Sequence, residues 1–441
     1  MSATITDKFK QVFLDGIWRS FNNLDADSNR DSDRYYIGIG RSEAWDDDDE
    51  TPPTATPDRE TQVGFQSGLQ GVKVVNDLSY VVPRYNWSAG SIYTAWTNKN
   101  HSDTTVGALQ DIAGSFYVIT DEQNVYVCLQ QGRTDEGVVR NSLYKPDQIT
   151  SQPFEAGPDG YVWKFLYNVG VYNARRYLTS EWVPVEQILD SSLGGAEYGS
   201  LSASRLAQLL NQELSVPGQV LAIDVDSGGT GYTTAPAVTI SGFDIDSANE
   251  AKAFARIDAN GKVFQIVMKE SDGANAYAWG QGYDQRTYVT LTGGGGTGAK
   301  VSPQVHLDSG GLGRDPRKDL NSSAMMFTAR IVGDEYEIFN ISNDFRQVGL
   351  LRNPLIDSLN DSQFAGSLGD SDFSGVRGNA LRKLYVGSGI DAEFTTLDNT
   401  VTGTTSGAKA KLDYFKTYID SDCCDSDLNT SHNVLLSLIH I

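Results

Sequence analysis

Val220-Leu221-Ala222-Ile223-Asp224-Val225, Gly231-Tyr232 and Ala237-Val238-Thr239-Ile240-Ser241-Gly242 come back in the same order as Val263-Phe264-Gln265-Ile266-Val267-Met268, Gly282-Tyr283 and Tyr288-Val289-Thr290-Leu291-Thr292-Gly293. Alternating small and apolar positions follow each copy: Ala251, Ala253, Ala255 and Ile257, then Ala299, Val301 and Val305. Apolar residues at period two mark a half-buried strand. Two rounds of such strands read as two stacked β units. Residues 216–310 are therefore expected to form a β-repeat domain.

The β reading extends outward in both directions. Ser115–Thr120, Asn124–Leu129 and Tyr161–Tyr167 join β-branched and aromatic residues between turn signals and predict short strands. Tyr35–Ile39 is strand-like, and Tyr385–Tyr418 reads as a further β segment. Helices are few. Phe9, Val12, Phe13, Ile17 and Phe21 recur at spacings of three and four, which predicts one helix over 5–23, with Thr6 or Asp7 as its cap. Ala203–Glu213 predicts a second, short one. Asp25–Asp33 and Asp46–Thr61 are acidic or rich in Pro and Thr, and read as exposed loops.

At 441 residues the chain can bury a large core and is expected to hold about two to four domains. The 35 Lys and Arg against 57 Asp and Glu leave a formal charge of −22. Such a surface repels nucleic acid and anionic lipid, so neither is an expected partner. The same acidity keeps the chain soluble and suits a saline setting. Cys128, Cys423 and Cys424 are too few and too poorly spaced for a disulfide framework or a zinc site, which fits a reducing compartment. Met1-Ser2-Ala3-Thr4 has no basic, apolar leader pattern, and no apolar run approaches a membrane span, so secretion and membrane insertion are not expected.

Four ordered segments carry aromatic residues, joined by glycine in the first and third: Tyr36-Ile37-Gly38-Ile39-Gly40-Arg41-Ser42-Glu43-Ala44-Trp45, Val81-Val82-Pro83-Arg84-Tyr85-Asn86-Trp87, Asp159-Gly160-Tyr161-Val162-Trp163-Lys164-Phe165-Leu166 and Asn343-Asp344-Phe345-Arg346-Gln347-Val348. With the N-terminal Ile5-Thr6-Asp7-Lys8-Phe9-Lys10, this series resembles the dimeric, mainly β baseplate wedge subunit of T-even-type contractile-tailed bacteriophages. The resemblance covers roughly residues 5–190 and 327–360. It implies a mainly β, α+β fold: a layered β-sandwich framework with an N-terminal helix. The Gly-Tyr repeats look like those of other phage tail proteins and read as an insertion, followed by a C-terminal β module. The expected divisions are 1–215 and 311–380 for the framework, 216–310 for the insertion and 381–441 for the module. Leu436-Ser437-Leu438-Ile439-His440-Ile441 reads like one frame of a common transposase sequencing adapter. It is taken as a non-native tail on a chain that natively continues past about 418–433.

What the resemblance implies about function is a virion protein of the tail baseplate, assembled in the host cytoplasm. Its partners would be a second copy of itself and the other wedge proteins, and it would share in the rearrangement that triggers tail contraction. The residues singled out are Gly40, Arg41, Ser42, Glu43, Trp45, Pro83, Arg84, Trp87, Asp159, Gly160, Tyr161, Trp163, Phe345, Arg346 and Gln347, as structural or interface positions. Trp45, Trp87, Trp163 and Trp182 each fit a core, an interface or a sugar-binding role. Arg41, Arg84 and Arg346 suit carboxylate pairing, within the chain or across an interface. The alternative is a receptor- or glycan-binding tail module carried on the repeats.

No pattern of residues calls for catalysis, a cofactor or a metal. Asp25, Asp27, Asn29, Asp31 and Asp33 are spaced like a calcium loop, but Arg30 and Tyr36 stand where an EF-hand needs Gly and Glu. Gly293–Lys300 is glycine-rich, yet Ala299 interrupts a phosphate-loop pattern and the flanks are strand-like, so a tight β turn is expected. His101, His306, His432 and His440 form no metal-spaced pair, and no Gly-x-Ser-x-Gly elbow occurs. The chain is not expected to be an enzyme.

Overall fold

A computed structural model describes residues 7–22, 35–41, 45, 61–62, 64–65, 68–98, 115–188, 201–308, 310–329, 346–352, 356–358, 376–378, 382–386, 400–402, 409–419 and 431–440. The acidic loops at 25–33 and 46–60 lie outside the described residues. The fold is mainly β, with several antiparallel sheets and one N-terminal helix, as the sequence predicts.

In chain order the strands are β1 (Tyr35–Gly40), β2 (Leu69–Val74), β3 (Asp77–Pro83), β4 (Tyr117–Ile119), β5 (Asn124–Gln130), β6 (Phe154–Glu155), β7 (Val162–Asn168) and β8 (Trp182–Val185). The repeat region supplies β9 (Val220–Thr230), β10 (Ala237–Ser241), β11 (Phe254–Ile257), β12 (Val263–Val267), β13 (Tyr288–Thr292) and β14 (Thr297–Val305). Then come β15 (Ala324–Thr328), β16 (Gln347–Arg352), β17 (Ile356–Ser358), β18 (Val376–Gly378), β19 (Arg382–Val386), β20 (Thr400–Thr402), β21 (Lys409–Ile419) and β22 (Ser431–His440). Among the described residues the helices of eight residues or more are α1 (Asp7–Phe21), α2 (Gly170–Tyr177) and α3 (Ala203–Leu214). The chain divides into two compact units, residues 1–18 with 78–326 and residues 19–77 with 327–441.

The first unit is organised by a four-stranded antiparallel sheet in the order β4-β5-β7-β6. It is buried on both faces. Val125, Val127, Leu129, Val162 and Leu166 enter one core, while the alternate residues Tyr126, Cys128, Trp163 and Phe165 enter the other. Double burial explains why Tyr161–Tyr167 reads as an almost unbroken apolar run. Leu14 and Trp18 of α1 pack against the first core, whereas Phe9, Val12 and Phe13 of its expected apolar stripe are exposed. Ser202 caps α3, its hydroxyl accepting from the Arg205 N–H at 3.3 Å.

The two repeat copies do not stack as separate units. They interleave, and this corrects the sequence expectation. The third strand of each copy pairs with the first strand of the other: β14 with β9, and β11 with β12. The middle strands β10 and β13 pair with each other, Thr239 facing Thr290. The registers repeat residue for residue. Ala255↔Ile266, Arg256↔Gln265 and Ile257↔Val263 in one ladder correspond to Pro303↔Ile223, Gln304↔Ala222 and Val305↔Val220 in the other, with a register shift at the same place in each. The exchange is thus reciprocal, although β10 also pairs with β11 through Ala237 and Phe254.

The Gly-Tyr motif is the clasp of this exchange. Tyr232 N–H donates to the Gly261 carbonyl at 3.1 Å, and Tyr283 N–H to the Gly218 carbonyl at 3.0 Å. Gly218 and Gly261 each precede the first strand of the opposite copy. Both have left-handed φ, +69° and +70°, and a Cβ on either would strike tyrosine backbone at 2.4 or 2.7 Å. The region is entered and left at one point, where Gly218 N–H donates to the His306 carbonyl and His306 N–H to the Gln219 carbonyl. Val220, Leu221, Ile223 and Ala255 share the first core with Val127 and Val162, so side chains from both sides of Pro217 pack together.

In the second unit β1 is flanked by β16 and β2, both antiparallel. Gly38 pairs with Gly349, and the Phe65 ring lies over both, 3.0 and 2.3 Å from where their Cβ atoms would be. Side chains there would displace the ring. Further along the chain, β17 pairs with β18, and β19-β22-β21-β20 form an antiparallel sheet.

Candidate functional site

The structure sorts the four signature segments into two groups. The first and fourth meet in the second unit. Gly40 pairs with Gln347 at the end of the β1–β16 ladder. Arg41, at φ +53°, turns the chain away; its N–H donates to the Gly68 carbonyl and its carbonyl accepts from the Arg346 N–H at 3.1 Å. A side chain at Gly40 would meet the Gly68 carbonyl at 2.4 Å. The Arg41 guanidinium lies 3.8 Å over the Trp45 ring, a cation–π contact. Ser42, Glu43 and Phe345 lie outside the described residues.

The second and third segments meet in the first unit around a buried aromatic cluster. Trp163 and Tyr161 are stacked with centroids 6.0 Å apart, and Tyr93 stands edge-on to both. Trp87 borders this cluster and donates its indole N–H to the Ser142 hydroxyl. Asp159, 4% exposed, spends both carboxylate oxygens on backbone: Oδ2 accepts from Leu143 and Tyr144, and Oδ1 from Tyr161. Gly160 follows with φ +83°. Pro83 ends β3 opposite Trp182 and accepts the Tyr117 hydroxyl through its carbonyl.

Arg84 makes no carboxylate pair within the described residues. Its guanidinium donates to Asn86 Oδ1 and to the Thr179 carbonyl, both neutral acceptors, rather than to a carboxylate. Trp163 is a core residue, while Trp45, Trp87 and Trp182 are half-buried.

A group of buried charges around Lys164 and Asp319 is one that the sequence reading did not assemble. Lys164 of β7 points its ammonium to the Ser151 carbonyl at 2.6 Å and Asn211 Oδ1 at 3.1 Å. Asn211 of α3 in turn donates to the Phe165 carbonyl. Burial holds Lys164 down at about 8, with the Asp319 charge opposing the shift. Asp319 accepts from Gly313 N–H at 2.8 Å, lies 3.1 Å from His306 Nε2, and is pushed up by burial. The Trp96 ring sits 5.3 Å from His306. The signal for Lys164 was present: one lysine within an otherwise apolar run belonging to a doubly covered strand.

The glycine-rich stretch turns the chain between β13 and β14, with positive φ at Gly293, Gly294, Gly295 and Gly298, as expected of a turn. His101 lies outside the described residues, as do the side chains of His432 and His440. Among the described residues no group of three His, Cys, Asp or Glu could hold a metal, and no helix is long and apolar enough to cross a membrane. The chain matches no family model, and a search of curated proteins finds no match.

Proposed function

We propose that this chain is a structural virion protein of a contractile phage tail, a baseplate wedge subunit that acts through its interfaces and carries out no catalysis. The observation that carries the reading is the ordered set of four signature segments, together with the work their residues do. Gly40, Asp159 and Gly160 shape backbone, Tyr161 and Trp163 fill a core, and Arg41 covers an aromatic ring. Such residues build a rigid body that can present surfaces to neighbours. A subunit of this kind would be held by apolar patches with polar rims, a few anchors dominating the energy. Its part in triggering contraction would be a change between two discrete packings.

Size-exclusion with light scattering on the full chain, alone and mixed with the other wedge proteins of the same phage, tests this. A dimer that enters a defined wedge complex is the expected result. A monomer that ignores those proteins removes the reading.

One observation favours a second reading, a glycan- or receptor-binding role for the repeats. Phe243 and Tyr288 are 66% and 59% exposed, and the Arg286 guanidinium stacks 4.2 Å over Phe243. Exposed rings beside a cation suit stacking against a sugar face. Loss of binding to host-surface polysaccharide in Phe243→Ala/Tyr288→Ala would support it, and binding unchanged by that pair would remove it.

A further inference from the structure

Lys164 lines a cavity of about 440 Å³ in the first unit, walled on one side by residues of the central sheet and α3 and on the other by the repeat region. Its ammonium has three N–H bonds, and two are given to the neutral acceptors Ser151 O and Asn211 Oδ1. Among the described residues no carboxylate lies within ion-pair distance of it; Asp319 acts on it through space. A cation buried without a contacting counter-charge is costly. An anionic group in the cavity, reached by the third N–H, would offset that cost.

The rest of the wall says what else the ligand should carry. The side-chain amides of Gln152 and Gln219 have no protein partner among the described residues. Asn249 and Gln281 bond to each other through one oxygen and one nitrogen, leaving an N–H₂ and a carbonyl oxygen for a guest. Amides donate and accept alike, so a row of them reads hydroxyl groups rather than apolar surface. The cavity is within the size range of small-ligand sites.

We propose that this cavity binds the acidic end of a saccharide, a uronate whose carboxylate pairs with the Lys164 ammonium and whose hydroxyls bond to the amides of Gln219, Asn249 and Gln281. The inference needs neither the wedge reading nor the exposed rings at Phe243 and Tyr288. The other titratable groups facing the cavity or its lysine are Asp319, Glu250 and Tyr277.

The test is calorimetric titration of the full chain with digalacturonate, with galactose, acetate and inorganic phosphate as separate probes. Digalacturonate should bind, and each of the other three at least about tenfold more weakly. Because only the charged ammonium pairs with the carboxylate, affinity should fall about tenfold between pH 7 and pH 9. Lys164→Met should abolish binding. Gln219→Leu keeps the test open should that variant not fold, and should weaken binding about fivefold or more with an unaltered melting temperature. Phe243→Ala/Tyr288→Ala should leave digalacturonate affinity unchanged, which separates this site from the second functional reading. No binding of digalacturonate, equal binding of galactose, equal binding of acetate or phosphate, a flat profile from pH 7 to 9, or full affinity in Gln219→Leu would each overturn the proposal.

Discussion

Lys164 shows how one residue can set the pH response of a core. Its ordinary value near 10.5 is lowered to about 8 in the folded chain by burial. The folded protein therefore releases this proton before the unfolded chain does. Below pH 8 the folded state bears the cost of a desolvated ammonium, on the order of 3 kcal/mol. As pH rises from 8 towards 10.5 that cost is withdrawn, so stability rises. The buried Cys128 thiol acts in the opposite sense: its pKa is pushed up from about 9, and its contribution is lost as pH climbs above that value. The clean window is pH 8 to 9. Urea unfolding should give a free energy that rises across it in the wild type, with the rise gone in Lys164→Met. A flat wild-type profile would mean that water reaches the ammonium. Lys164 was visible in the sequence only as an anomaly, since alternation places it on the Val162–Leu166 face without saying that this face is covered.

At the scale of elements, the strands were legible and their partners were not. Period-two alternation located β11 and β14, the repeated segments located β9, β10, β12 and β13, and Ala203–Glu213 read as the helix α3, because such patterns are written in neighbouring residues. Pairing is decided between segments far apart: Gly40 meets Gln347, and β9 meets β14 rather than a strand of its own copy. The interleaved topology makes Gly218 and Gly261 equivalent, each seating the tyrosine of the other copy. Gly218→Ala and Gly261→Ala should therefore destabilise to a similar degree, each by more than about 1 kcal/mol, since positive φ and backbone overlap act together. Gly273→Ala, also at positive φ but with open space around its Cβ, is the control and should cost less. Urea midpoints for the three variants check this. A harmless Gly261→Ala would speak against the equivalence of the two Gly–Tyr contacts.

For the whole molecule, charge was the most legible property and the division into two units the least. A chain of net charge −22 repels itself in the compact state. Salt screens that repulsion, with a screening length near 10 Å at 0.1 M. The melting temperature should rise by a few degrees as sodium chloride goes from about 0.01 to about 0.5 M. A fall would mean that attractive pairs such as Lys269–Glu155 outweigh the repulsion. The two units each gather segments from both ends of their sequence, which no local pattern announces. The shared doorway of the repeat region, where Gly218, Gln219 and His306 bond across, has a mechanical corollary. Tension along the main chain would arrive at Val220 and Val305, which face each other at one end of the β9–β14 ladder. It would open that ladder rung by rung, like a zip, instead of loading all rungs at once in shear. Within the repeat region a large force is then better carried through its faces than along its backbone.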